Sequence, residues 1–120
     1  MLFNRLLMPL AAASAVLAFA ASADAHARLV SSTPPANTTV AAPRALTLTF
    51  SERMAPAFSS FEVVNAAGAK ATIRTVVSED GRAITGTTSR PLAAGAYVVN
   101  WRIASSDGHR MTGSYAFSVR

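Results

Sequence analysis

The 120-residue chain has no cysteine. That excludes a cysteine nucleophile and a disulfide framework. A domain of this size must then be held by core burial, helped by any metal it binds. Histidine is almost as scarce, with only His26 and His109. No Gly-x-Ser-x-Gly elbow marks a hydrolase, and no glycine-rich loop is built to cradle phosphate. Internal repeats, low-complexity tracts and interdomain linkers are missing, and no convincing helical pattern follows the first 25 residues. Basic residues outnumber acidic ones by 11 to 6. They are scattered singly, without the clustering and interleaved aromatics of a nucleic-acid surface, so no nucleic-acid partner is expected. At most the charge gives an unspecific attraction to anionic membrane surfaces.

What is present begins with a processing signal. Residues 1–5 form a short positive segment and residues 6–21 an apolar run. Ala23-Asp24-Ala25 is a small-x-small cleavage site. The pattern is that of a secretory signal peptide, residues 1–25, removed after Ala25. The apolar run falls short of the ~20 residues that span a bilayer. The expected mature domain is 26–120, and no other segment is long and apolar enough to cross a membrane. Its new first residue is His26.

Beyond the signal, alternation dominates. Leu46, Leu48 and Phe50 alternate with Thr47 and Thr49, and Tyr97, Val99, Trp101 and Ile103 with Val98, Asn100 and Arg102. Strands are expected over 28–32, 45–50, 60–65, 71–77, 83–88, 97–103 and from 114 to 119. Pro34-Pro35 breaks the first. Asp80-Gly81 suits a tight hairpin. About seven short strands separated by regular turn signals predict an all-β, antiparallel β-sandwich of immunoglobulin-like type. Leu92, Gly95 and Tyr97 resemble a tyrosine corner, in which the Tyr hydroxyl ties a connecting loop to a strand. Trp101 reads as core packing.

The chemistry gathers in Asp107-Gly108-His109. In an extended chain these outer residues project to the same side, roughly 7 Å apart. A carboxylate and an imidazole in one volume make half a metal site. The other half is expected from the N-terminus. Once cleaved, His26 carries an α-amine, and that nitrogen with imidazole Nδ1 can close a six-membered chelate ring. Nitrogen donors of this kind favour Cu(II). His109 would add a third nitrogen and Asp107 an oxygen. Glu52, just past a strand end, is either an outer partner, an axial oxygen ligand or a solvated carboxylate. Met54 and Met111 are soft donors by type but read as gap-filling core residues, and no methionine cluster follows the signal.

These features together resemble the CopC family of periplasmic copper-resistance proteins. The resemblance rests on His26-Ala27-Arg28-Leu29 after the cleavage site, Leu48-Thr49-Phe50-Ser51-Glu52, and Pro91-Leu92-Ala93-Ala94-Gly95-Ala96-Tyr97. It continues through Trp101-Arg102, Ser105-Ser106-Asp107-Gly108-His109, Thr112-Gly113 and Phe117. It implies a seven-stranded Greek-key, cupredoxin-like or immunoglobulin-like sandwich or barrel in the periplasm. It also implies one Cu(II) per mature chain, held by His26, Asp107 and His109 with Glu52 nearby, in a monomeric carrier or buffer without turnover. Some relatives carry a methionine-rich Cu(I) loop. Residues 65–77 here contain no Met or His, so that second site is not expected. Some relatives are fused to a CopD-like membrane domain. This chain ends at Arg120, so a CopD-like inner-membrane copper transporter would be a separate polypeptide. The alternative reading is a copper oxidase, because lytic polysaccharide monooxygenases also pair an N-terminal His with a second His. A small sandwich leaves little room for a flat polysaccharide-binding surface, and an Asp ligand would occupy a position that oxygen chemistry needs open.

Overall fold

The structure, a computed structural model, describes residues 27–120. The expected signal peptide and His26 lie outside the described residues. Two four-stranded sheets face each other, in the orders β1-β3-β6-β5 and β2-β8-β7-β4. The strands are β1 Leu29–Thr33, β2 Thr39–Val40, β3 Ala45–Phe50, β4 Ser60–Asn65, β5 Ile73–Val77, β6 Ala83–Thr88, β7 Gly95–Ala104 and β8 Arg110–Val119. A single 3-10 turn, Pro56–Phe58, precedes β4.

Period-two alternation explains why these stretches pair as they do. In β3, Leu46, Leu48 and Phe50 are buried while Thr47 and Thr49 face outward, where Thr47 and Thr85 hydroxyls meet across β3 and β6. Ile84 of β6 adds to the same face, and Val63, Val99, Ile103, Phe117 and Val119 of the other sheet supply the facing side of the core. Tyr97 stacks on Phe117 with ring centroids 5.6 Å apart, and Phe50 meets Trp101 edge-on at 5.2 Å. Trp101 lies across its register partner Gly113, where any Cβ would overlap the indole. The tyrosine corner is present: the Tyr97 hydroxyl donates to the Ala93 carbonyl at 2.7 Å.

Three boundaries depart from the sequence expectation. Within residues 37–40, Thr39–Val40 form an extra two-residue strand, parallel to β8. Asn37 N–H donates to Ala116 O, and Ser118 N–H to Thr38 O, so this segment covers the β8 edge despite its polar, loop-like composition. The 71–77 stretch divides. Ala71 N–H still donates to Val63 O in the β4 sheet, and only from Ile73 does the chain join the other sheet. Finally, β8 starts at Arg110, opposite Ala104, so the β7–β8 hairpin continues almost to the Asp107 loop.

Antiparallel pairing places chain segments at two ends. The start of β1, the end of β3, the 78–82 turn and the 105–109 loop share one end. Backbone bonds tie them together: Ser51 N–H to Arg28 O, Met54 N–H to Gly81 O and Ala55 N–H to Ala104 O.

Candidate metal centre

The 105–109 segment is a closed turn, not the extended chain expected from its i, i+2 spacing. Ser105 N–H donates to His109 O at 2.8 Å, and Gly108 N–H to Ser105 O at 2.9 Å. Gly108 takes φ +91°, a backbone state that side chains rarely adopt, which is why a glycine separates the two candidate ligands. The tighter conformation brings the pair closer than a strand would. His109 Nδ1 lies 2.8 Å from Asp107 Oδ2, with both side chains about half exposed.

The carboxylate is held from three sides. Its Oδ1 accepts from the Ser105 hydroxyl and, at 3.2 Å, from His109 N–H. Its Oδ2 accepts from His109 Nδ1. These bonds hold the Asp107 carboxyl down at about 2, led by the Ser105 hydroxyl and then by the His109 imidazole. Asp107 is therefore an anion at any physiological pH. A carboxylate offers about four lone-pair positions, so with three in use about one remains for a metal. The same arrangement fixes the imidazole. In a neutral imidazole that donates Nδ1–H to Asp107, the lone pair lies on Nε2, the usual way an outer carboxylate sets a histidine ligand.

Ser105 was missed as a contributor by sequence reasoning. It is 4% exposed and bridges antiparallel to Met54. Its only sequence signal is the Ser-x-Asp spacing of a local side-chain turn. The same bridge carries residues 51–55, with Glu52, toward the Asp107 end. Among the described residues, however, no three His, Cys, Asp or Glu side chains gather as a metal-holding group. Asp107 and His109 thus meet, and Glu52 does not complete a third member with them. Arg28 N–H donates to the Ser51 hydroxyl at 2.8 Å, and Ala27 is fully buried beside this end. His26, one residue earlier, lies outside the described residues. Met54 is 2% exposed inside the core, and Met111 is packed against it, so both are structural here.

The fold and site define a class: an immunoglobulin-like sandwich with an acid-oriented histidine on an end loop. Comparison with known proteins narrows this. The CopC domain family model matches residues 29–120. Copper resistance protein C of Pseudomonas syringae pv. tomato is 39% identical over 107 residues, covering 83% of this chain and 85% of that protein. The Xanthomonas campestris pv. juglandis copper resistance protein C is 36% identical, covering 83% and 84% respectively. Among solved structures, the methionine-rich copper resistance protein PcoC of Escherichia coli superposes with a TM-score of 0.74 at 35% identity. That match covers 80% of this chain and all of PcoC. CopC of Methylosinus trichosporium OB3b gives 0.73 at 35% identity, covering 78% and 93%. The chain belongs to the CopC family.

Proposed function

We propose that the protein is a periplasmic Cu(II) carrier or buffer that holds one copper ion per mature chain. The observation that carries this reading is the Asp107–His109 pair, a carboxylate and an imidazole locked 2.8 Å apart on an end loop. His109 supplies a nitrogen through Nε2. Asp107 orients it and has about one lone-pair position left for the ion. His26, after cleavage behind Ala25, supplies its α-amine and imidazole. Burial of Ala27 and the Arg28–Ser51 bonds at the same end support this assignment. Glu52 is an outer partner on this reading. Two or three nitrogens with one oxygen suit tetragonal Cu(II).

Copper is the cargo here, and no turnover is assigned. The names of the relatives, copper resistance proteins, support the same ligand. No tight Cu(I) site is assigned, because Met54 and Met111 serve the core. A separate CopD-like inner-membrane transporter is the partner this reading implies, with the carrier acting as a monomer. The test is a Cu(II) titration of protein beginning at His26, followed by electron paramagnetic resonance. One equivalent with nitrogen hyperfine structure is expected. No binding, or an all-oxygen spectrum, would overturn the proposal. Reductant-driven peroxide production by the copper-loaded protein would instead favour the oxidase reading.

A further inference from the structure

The basic residues are scattered along the sequence and divide evenly between the two ends of the fold, but the carboxylates do not. Removing Arg5 and Asp24 from the chain totals leaves ten cations and five carboxylates among the described residues. Four of those carboxylates, Glu52, Glu79, Asp80 and Asp107, lie at the candidate metal end. The same end also carries Arg28, Arg53, Arg82, Arg102 and Arg110. Arg82 and Arg53 help to hold the Asp80 carboxyl below its ordinary value, after the larger effect of the Ser78 hydroxyl. The opposite end is different. It carries Arg44, Lys70, Arg74, Arg90 and Arg120, all exposed. The remaining carboxylate, Glu62, pairs with Lys70 at 3.0 Å. No carboxylate among the described residues pairs with Arg44, Arg74 or Arg90.

The strand pairings draw these cations together. Thr88 N–H donates to Arg44 O, Arg74 sits opposite Thr87, and Ser89 N–H donates to Thr72 O. Lys70 and Arg90 line one groove. The loops between them, 41–44, 66–69 and 91–94, contain only alanine, glycine, proline and leucine besides the basic side chains. Among the described residues, no exposed aromatic lies on this end to stack a base.

We propose that this basic end is a docking surface for a bilayer rich in anionic phospholipid. Each cation near such a surface adds roughly 1 kcal/mol of attraction, and the small apolar loop tips between them put few bulky side chains in the way. Docking in this orientation holds the Asp107–His109 loop away from the membrane. β7 spans ten residues between the two ends, which is roughly 33 Å at about 3.3 Å per residue. The proposal does not depend on the metal assignment.

The test is co-sedimentation of metal-free protein beginning at His26, which contains every strand of the sandwich. The probes are vesicles of phosphatidylcholine with and without phosphatidylglycerol. Binding is expected only with phosphatidylglycerol, and it should be released by high salt, where the screening length falls to about 3 Å. The double variant Arg74→Gln/Arg90→Gln should bind about thirtyfold more weakly. Arg28→Gln/Arg110→Gln removes the same charge from the other end and should change binding less than about threefold, on the same scale. Equal losses in the two variants would overturn the oriented surface in favour of net charge alone. Equal binding to pure phosphatidylcholine, or no binding to either vesicle, would overturn the proposal outright. So would tighter binding to a short DNA duplex than to the anionic vesicles.

Discussion

Asp107 fixes both the side chain and the backbone of His109. One carboxylate oxygen lies 2.8 Å from the imidazole Nδ1, and the other accepts the His109 N–H at 3.2 Å. The residue that follows the positive-φ glycine is thereby aimed before any metal arrives. Preorganisation of this kind reduces the ordering that binding would otherwise require.

Asp107→Asn should therefore weaken Cu(II) binding about ten- to a hundredfold, the range seen when an orienting partner of a metal-bound histidine is removed. The amide keeps the shape of the turn but loses the charge and one acceptor. Competition against a chelator of known affinity measures it. Unchanged affinity would mean that Asp107 only shapes the turn.

His109→Ala removes the imidazole from an exposed loop and leaves the core intact. Copper binding should fall strongly, while the stability of the metal-free protein changes by no more than roughly 0.5 kcal/mol, as for a surface substitution. Denaturant melts with and without Cu(II) separate the two effects. A large loss of metal-free stability would make His109 a structural residue.

Acid should act on folding and on copper in different windows. The Asp107 carboxyl is lowered from 3.8 to about 2. Its contribution to stability is therefore fully present above about pH 4, and is lost as pH falls toward about 2, because the unfolded chain takes up its proton first. Asp80 is lowered in the same direction, chiefly by the Ser78 hydroxyl. The metal-free melting midpoint should stay flat near neutrality and drop below about pH 4, less steeply in Asp107→Asn. Copper should leave earlier, because Cu(II) must compete with protons for its nitrogen ligands. A flat copper affinity from neutral to mildly acidic pH would remove the nitrogen ligands.

The corner and the indole platform can be tested apart from the metal. Tyr97→Phe deletes the bond to Ala93 O and should cost about 1 kcal/mol. Gly113→Val forces a branched side chain into the Trp101 ring and should cost about 1–3 kcal/mol through overpacking. Neither should alter Cu(II) affinity by more than a small factor. A Gly113→Val protein of wild-type stability would show that the indole does not rest on that glycine.

The sandwich was legible because its main strands alternate cleanly. Leu46, Leu48 and Phe50 announce β3, and Tyr97, Val99, Trp101 and Ile103 announce β7. The β2 segment was not legible, because two residues carry no period and Thr39 resembles a loop. Residues 71–72 were not separable from β5, since Ala71 bonds one sheet and Ile73 the other within a single β-rich stretch. At the site, the partnership of Asp107 and His109 was readable from spacing, but its geometry was not. A strand and a turn share that spacing, and only the Ser105 and Gly108 backbone bonds decide between them. Met54 could be either a ligand or core by residue type, and burial decides for core. The gathering of Arg44, Arg74 and Arg90 at the end away from the Asp107 loop was invisible for a further reason. Arg44, Arg74 and Arg90 come together only through the pairing of β3, β6 and β5.

The central claim is that copper is held jointly by the loop and by the amine of His26, and it depends on processing. In a chain extended by one residue, that nitrogen is an amide and a poor ligand until deprotonated. The strands, Asp107 and His109 are unchanged. The most direct measurement is a side-by-side Cu(II) competition of protein beginning at His26 and protein carrying one additional residue before it. The account predicts the same fold for both and an affinity lower by orders of magnitude for the extended form. Equal affinities would contradict it and take the N-terminal amine out of the site.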